Sequence, residues 1–278
     1  MTGLTRRYDT GRGHYYKLDG DKVDGVTSIL GDGWPKPALV YWAANTVSEY
    51  VADRLAYDED TDQWNPAQLL ADLEAKAQRD RRKWRPGSRI AIVENLKRVQ
   101  WDERDAAANK GTTVHKFAER LARGEEVDVP EPLVGHVDSY LRFREEWEPT
   151  DELLELVVVN RRHRYMGTLD LICRIGGMWW LIDIKTNRSG IFPETAYQLT
   201  AYRHAETYID GDGVEQPMIP VDRVAALWLR ADGYDLIPVQ ADERAFRRFL
   251  YIQQVAIAQK DDTVLGEALA PPVRSTAA

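Results

Sequence analysis

Apolar residues recur at helical spacing through residues 38–56 (Leu39, Trp42, Ala43, Val47, Val51, Leu55) and more weakly through 66–83, predicting successive helices after Pro35 and Pro37. Residues 14–30 read as a short extended region leading into Ser28-Ile29-Leu30. Further helices are expected over about 88–107, over 110–123 with Val114, Phe117, Ala118 and Leu121 as the buried stripe, and over 131–147. At Leu153 the period shortens to that of a strand. Leu156–Val159, Tyr165–Ile175, Met178–Thr186 and Val224–Leu229 read as strands, with helices at about 193–209 and 242–259 between and after them. Helices, three strands, a helix, more strands and a last helix make an α/β core behind a helical N-terminal elaboration.

Gly176-Gly177 between two strand patterns is a two-residue turn signal. Facing residues then have numbers summing to 353, which sets Asp170 opposite Asp183, Thr168 opposite Lys185 and Ile172 opposite Leu181. Counted from the turn, the two acids fall in the pair class whose Cα atoms approach to about 4.5 Å. Leu169, Leu171, Cys173, Trp180, Ile182 and Ile184 are expected on the opposite, buried face. Directly opposed acids destabilise a sheet unless something neutralises them. A hard divalent cation does so, and Lys185, two residues beyond Asp183, brings an ammonium to the same face. A metal that polarises phosphate, with a cation that orients water, is the equipment of phosphodiester hydrolysis.

Composition narrows the partners. The 278 residues carry 37 basic and 45 acidic side chains, a net charge of −8, which argues against a protein that coats nucleic acid by bulk charge. A local basic groove is compatible with it. Arg79, Arg81, Arg82, Lys83, Arg85 and Arg89 surround Trp84, and Arg161-Arg162-His163-Arg164 follows the first core strand. Such runs are either solvated surface or phosphate-tracking patches with an aromatic for base stacking. Cys173 is the only cysteine, so an internal disulfide, a four-cysteine zinc site and a cysteine-held iron–sulfur cluster are excluded within one chain. No stretch approaches the roughly 18 apolar residues of a membrane span, and no apolar signal core follows Met1–Arg7. The expectation is a soluble, cytoplasmic chain without a membrane partner.

Two further groups sit on helices. Gln198 and Tyr202 are i, i+4 neighbours after Pro193, either ordinary amphipathic surface or donors to phosphate and water. Gly111, His115 and Glu119 share a face beside the Val114/Ala118 stripe, where His115 is either a satisfied boundary residue or an imidazole ligand.

In order and spacing, Gly111-x-x-x-His115, Gly167-Thr168-Leu169-Asp170, Asp183-Ile184-Lys185-Thr186 and Gln198-x-x-x-Tyr202 resemble the RecB-like branch of the PD-(D/E)XK nuclease superfamily. The likeness covers about residues 107–209, and Tyr15–Trp42 also looks like segments of phage-encoded members. It implies a restriction-endonuclease-like core, a central mixed sheet flanked by helices, at 107–260, with a mostly helical elaboration and DNA clamp at 1–106 and a loose tail at 261–278. It further implies Mg²⁺ or Mn²⁺ held by His115, Asp170, Asp183 and the Ile184 carbonyl, with Lys185 catalytic and Gln198 and Tyr202 assisting. Glu155 corresponds to an acidic position of some relatives. Arg82, Lys83, Trp84, Arg85, Arg162, Arg164 and Thr186 are the expected DNA contacts. The expected activity is that of a metal-dependent deoxyribonuclease, an exonuclease acting on DNA ends or single strands in phage or bacterial processing, beside recombination or replication proteins. The alternatives are a non-catalytic DNA-binding recombination module and a structure- or sequence-specific endonuclease of the same fold.

Overall fold

From its N-terminus the chain forms an antiparallel meander, β1 (Arg6–Thr10), β2 (Gly13–Leu18) and β3 (Asp21–Gly25), and runs directly into helix α1 (Val26–Gly33). The coordinates are a computed structural model that describes residues 5–11, 13–58, 62–79 and 89–269. Next come α2 (Pro37–Ala52), a small hairpin of β4 (Ala56–Asp58) and β5 (Gln63–Asn65), α3 (Ala67–Arg79), α4 (Arg89–Ala122) and α5 (Val134–Trp147). The core continues with β6 (Thr150–Asn160), β7 (Tyr165–Ile175), β8 (Met178–Lys185) and α6 (Pro193–Arg203). It closes with β9 (Thr207–Ile209), β10 (Glu215–Pro217), β11 (Arg223–Leu229), β12 (Tyr234–Pro238) and α7 (Glu243–Ala258).

The expected α/β core, a mixed sheet flanked by helices, is present. Gly176 and Gly177 turn with φ of +57° and +80°, left-handed backbone that glycine adopts at little cost. The resulting β7–β8 ladder runs from Ile175↔Met178 to Leu171↔Ile182, the anticipated register. β11 lies parallel to β8, with α6 in the crossover, and β12 pairs back on β11.

The ends of β7 decide where the site forms. β6 pairs along one edge of β7 over its whole length, from Asn160↔Tyr165 to Thr150↔Arg174. The other edge is divided: β3 takes Tyr165 and Met166 in parallel pairing, and β8 takes Leu171 to Ile175. Among the described residues, Gly167 to Asp170 therefore have no strand partner on that side. The ladder stops before the expected Asp170/Asp183 and Thr168/Lys185 pairs, and the main-chain N–H of Ile184 donates instead to Asp170 Oδ2 at 2.7 Å.

Helices cover both faces. On one, α1, α6 and α7 bury Ile29, Leu30, Leu199, Tyr202, Phe249 and Ile252 against Leu156, Val158, Ile172 and Leu181. On the other, α4 and α5 bury Val114, Ala118, Tyr140 and Phe143 against Leu171, Cys173, Ile182 and Ile184. Leu169, expected beside Leu171 and Cys173, packs with Ile172 and Leu181 instead. The side-chain alternation of β7 thus inverts at Asp170, and on β6 Glu155, flanked by the pairs Leu154↔Leu171 and Leu156↔Leu169, takes a φ of +52°. The pairing register is the same on either side of Glu155, so its left-handed backbone and not an inserted residue accompanies the change of face.

Four expectations change in outline. Residues 14–30 are not one extended piece, because the chain turns helical at Val26. The helices expected at 88–107 and 110–123 are one, α4, so a division at 106 falls inside a helix. The strands Arg6–Thr10, Gly13–Leu18 and Asp21–Gly25 belong to the main sheet and not to a helical attachment, with Tyr16, Leu18 and Val23 buried against Val159 and Met166. The helix expected to 209 ends at Arg203, and Thr207–Ile209 pairs with β6.

Candidate active site

A cleft of about 950 Å³ opens along the unpaired stretch of β7. α4 brings His115 to it, β6 brings Glu155, β7 brings Thr168 and Asp170, and β8 brings Asp183 and Lys185. From α6 come Gln198 and Tyr202, and Thr186 stands at one end. α4 passes so close there that a Cβ on Gly111 would sit 3.2 Å from Thr186 Oγ1, which gives that glycine its purpose.

Three potential ligand atoms, one each from His115, Glu155 and Asp170, lie within 4.8 Å of one another. One imidazole and two carboxylates on partly exposed residues suit a divalent cation that keeps positions open for water and phosphate oxygens. Asp183 adjoins this group and is engaged elsewhere. Lys185 Nζ lies 2.5 Å from its Oδ2, an ion pair without hydrogen-bond angles, and that buried oxygen has no hydrogen-bond partner. Gln198 ties the rest together: its Nε2 donates to Asp183 Oδ1 and to the Tyr202 hydroxyl, each at 3.1 Å, while its Oε1 accepts from Lys185 at 3.3 Å.

The anticipated clash of two acids is thus resolved by two cations. Burial raises the Asp183 carboxyl to about 6 against the pull of Lys185, and Asp170 adds to the rise. Burial would raise Asp170 too, but His115, Lys185 and the Ile184 amide hold it below the usual carboxylate range. Burial works against the His115 imidazolium, yet Asp170 lifts it to about 9. Burial opposes the Lys185 charge as well, and Asp183 and Asp170 overcome it, so its pKa rises. Glu155 is pushed up to about 7, first by burial and then by Asp170.

The expected site residues divide into three groups. His115, Asp170, Asp183, Lys185, Gln198, Tyr202 and Thr186 converge on the cleft. Ile184 is there too, with its N–H bonded to Asp170. Arg162 and Arg164 do not line it, and Arg164 pairs with Asp21 at 3.1 Å. Arg82, Lys83, Trp84 and Arg85 lie outside the described residues.

The N-terminal hairpin was missed as a cleft wall. Arg7 donates from Nη1 to Thr168 Oγ1 at 3.2 Å and stands 3.9 Å from Glu155 Oε2. The Tyr16 hydroxyl is hydrogen-bonded to Thr168 Oγ1 at 2.9 Å. No local pattern marks these residues, because they reach the site only through the β3–β7 pairing. Glu155, already marked by the resemblance, also stands out as a charge inside the apolar run Leu153-Leu154-Glu155-Leu156-Val157.

No family model matches the sequence, and no curated protein matches it. Among solved structures the chain is similar to an alkaline exonuclease from Laribacter hongkongensis, at 12% identity and a TM-score of 0.32, over 76% of this chain and 91% of that one. It is also similar to the protein SSO0001, at 15% identity and a TM-score of 0.30, over 48% of this chain. The chain spans 63% of SSO0001, less than two thirds of its length. Among the described residues no helix is long and apolar enough to cross a membrane.

Proposed function

We propose that this chain is a metal-dependent DNA phosphodiester hydrolase, an exonuclease of phage or bacterial DNA processing with a RecB-like PD-(D/E)XK site. The observation that carries the reading is the grouping of His115, Glu155 and Asp170 within ligand reach, beside an Asp183–Lys185 ion pair in an open cleft. A protein that only held DNA would have no use for acids gathered where phosphate must enter.

In this reading His115, Glu155 and Asp170 would hold Mg²⁺ or Mn²⁺, with the Ile184 carbonyl and Asp183 Oδ2, which Lys185 now holds, completing the set once the ammonium gives way. The ion supplies Lewis acidity toward a phosphate oxygen and a water of lowered pKa. Lys185, kept charged by the two acids, holds the attacking water and balances charge developing on the phosphate. Gln198 fixes Asp183 and Lys185 relative to each other, so neither need reorganise when substrate arrives. Tyr202, whose buried phenol is driven well above its ordinary pKa by burial and then by Asp183, stays neutral and supports Gln198.

The test is incubation of end-labelled linear and closed circular DNA with Mg²⁺ or Mn²⁺, comparing wild type with Lys185→Ala and Asp183→Ala. Loss of linear DNA with wild type alone is expected. Cleavage of circles would move the reading to an endonuclease, and variants as active as wild type would remove the site.

A further inference from the structure

The outward face of the β1–β2 hairpin carries an arrangement that the cleft chemistry does not use. Tyr8 and Tyr15 face each other across the ladder, and their rings stack at 5.0 Å with an interplanar angle of 3°. The Arg6 guanidinium lies 4.4 Å over Tyr8, Lys17 Nζ 5.7 Å over the same ring, and Lys22 Nζ 6.0 Å over Tyr15. A column of two stacked rings results, with cations lying over its ring faces. The period of two separates it from Arg7 and Tyr16, which point to the cleft.

The charges around it are one-sided. Asp9 is held by Arg7, Asp19 by Arg161, Asp21 by Arg164 and Asp24 by Lys260. Arg6, Lys17 and Lys22 form no ion pair with a carboxylate among the described residues. In a chain of net charge −8, three cations left without acids beside acids that are all paired mark a surface for an outside anion. The column is also continuous with the cleft, because Arg6 both caps Tyr8 and lines the cleft wall.

We infer that this hairpin face binds single-stranded nucleic acid flanking the phosphate under attack, with Arg6, Lys17 and Lys22 swinging from the ring faces onto phosphates and the Tyr8/Tyr15 pair, so uncovered, meeting unstacked bases. The occupant is a single strand because a duplex keeps its base faces covered, whereas aromatic stacking requires them free. The inference rests on reading the cleft as a phosphodiesterase site, and it adds the path that substrate takes beyond it.

The test uses the full chain, without divalent metal so that no cleavage occurs, and a fluorescein-labelled oligothymidylate read by anisotropy. Tyr8→Leu with Tyr15→Leu should weaken binding about 5- to 100-fold, as losing base stacking does, and Tyr8→Phe with Tyr15→Phe should restore it. Each of Arg6→Gln, Lys17→Gln and Lys22→Gln should lower the slope of log affinity against log salt by about 0.7. Melting curves like those of wild type establish that the variants are folded. Leucine variants that are folded and bind as wild type overturn the inference, as does equal affinity for polyglutamate, which would make the face an acidic-peptide site. Hydrolysis of bis(p-nitrophenyl) phosphate by wild-type protein with Mn²⁺ judges the cleft separately. Binding lost in the variants with no such hydrolysis keeps the hairpin face and removes the nuclease reading.

Discussion

His115 Nδ1 and Asp170 Oδ2 lie 3.5 Å apart, an imidazole from α4 against a carboxylate from β7. In the proposed metal site this pair would link the proton to the metal. With its pKa lifted from 6.5 to about 9, His115 adds stability to the metal-free fold that is complete below pH 6.5 and is lost as pH rises through 9. An ion needs the ring neutral, so metal and proton compete for one atom. The thermal shift produced by millimolar Mn²⁺ should be larger at pH 9 than at pH 6, measured by calorimetry. Shifts of equal size would count against His115 as a ligand.

Glu155 gives a second pH test with its own signature. Its carboxyl is raised from 4.5 to about 7, so its ionised form is disfavoured in the fold, and stability falls as pH rises across that window. Glu155→Gln should make the metal-free protein more stable than wild type at pH 8 and leave it nearly unchanged at pH 4. The same variant should give a smaller Mn²⁺ shift. Gain without metal and loss with it, in one variant, is the expected outcome; a loss in both would mean that Glu155 is merely structural.

Lys185→Ala should lower kcat about 100- to 1000-fold, the scale of removing one preorganised charge donor from a reacting oxyanion. Lys185 pairs with Asp183 and is not in the ligand group, so the Mn²⁺ thermal shift should persist. Single-turnover cleavage beside a melting curve separates the two readouts. Full activity in this variant would contradict its role.

Gly167→Ala probes the packing that supports α6. A Cβ at this position would lie 2.5 Å from Tyr202 Cε1, on a ring that is almost completely buried. Overpacking of this kind costs about 1–3 kcal/mol. The ring must shift and disturb Gln198, so activity should fall together with the urea midpoint. An unchanged midpoint would show that Tyr202 has room to move.

Removal of residues 1–25 distinguishes an integral strand set from an appendage. It strips buried Tyr16, Leu18 and Val23 and leaves the β3 side of β7 unpaired. Each large apolar side chain of that size contributes about 1.5–3 kcal/mol when fully buried. The shortened chain should fail to give a cooperative melt, and a sharp transition near that of wild type would restore the boundary first expected.

The hairpin of β7 and β8 was legible because two glycines set a short turn and the alternating apolar residues left one register that buries them. Asp170, Asp183 and Lys185 followed from that hairpin, whereas His115, Gln198 and Tyr202 were singled out by the resemblance in ordered spacing, because on their helices each also reads as an ordinary boundary or surface residue. What periodicity could not show was the departure from it. The phase inversion at Asp170 moved Leu169 to the other layer, and the matching irregularity on β6 put Glu155 in the ligand group. Arg7 and Tyr16 were hidden by sequence distance, since Thr168, which they contact, lies 161 and 152 residues away along the chain.

The left-handed backbone of Glu155 sets two demands on one position against each other. At φ of +52° a glycine would relax the strand, whereas of the two residues only glutamate has a side-chain oxygen to offer a cation. Glu155→Gly is thus the substitution most apt to harden the scaffold while emptying it of chemistry. A search for heat-resistant variants that ignored turnover would be drawn to the very place where this molecule has least to spare.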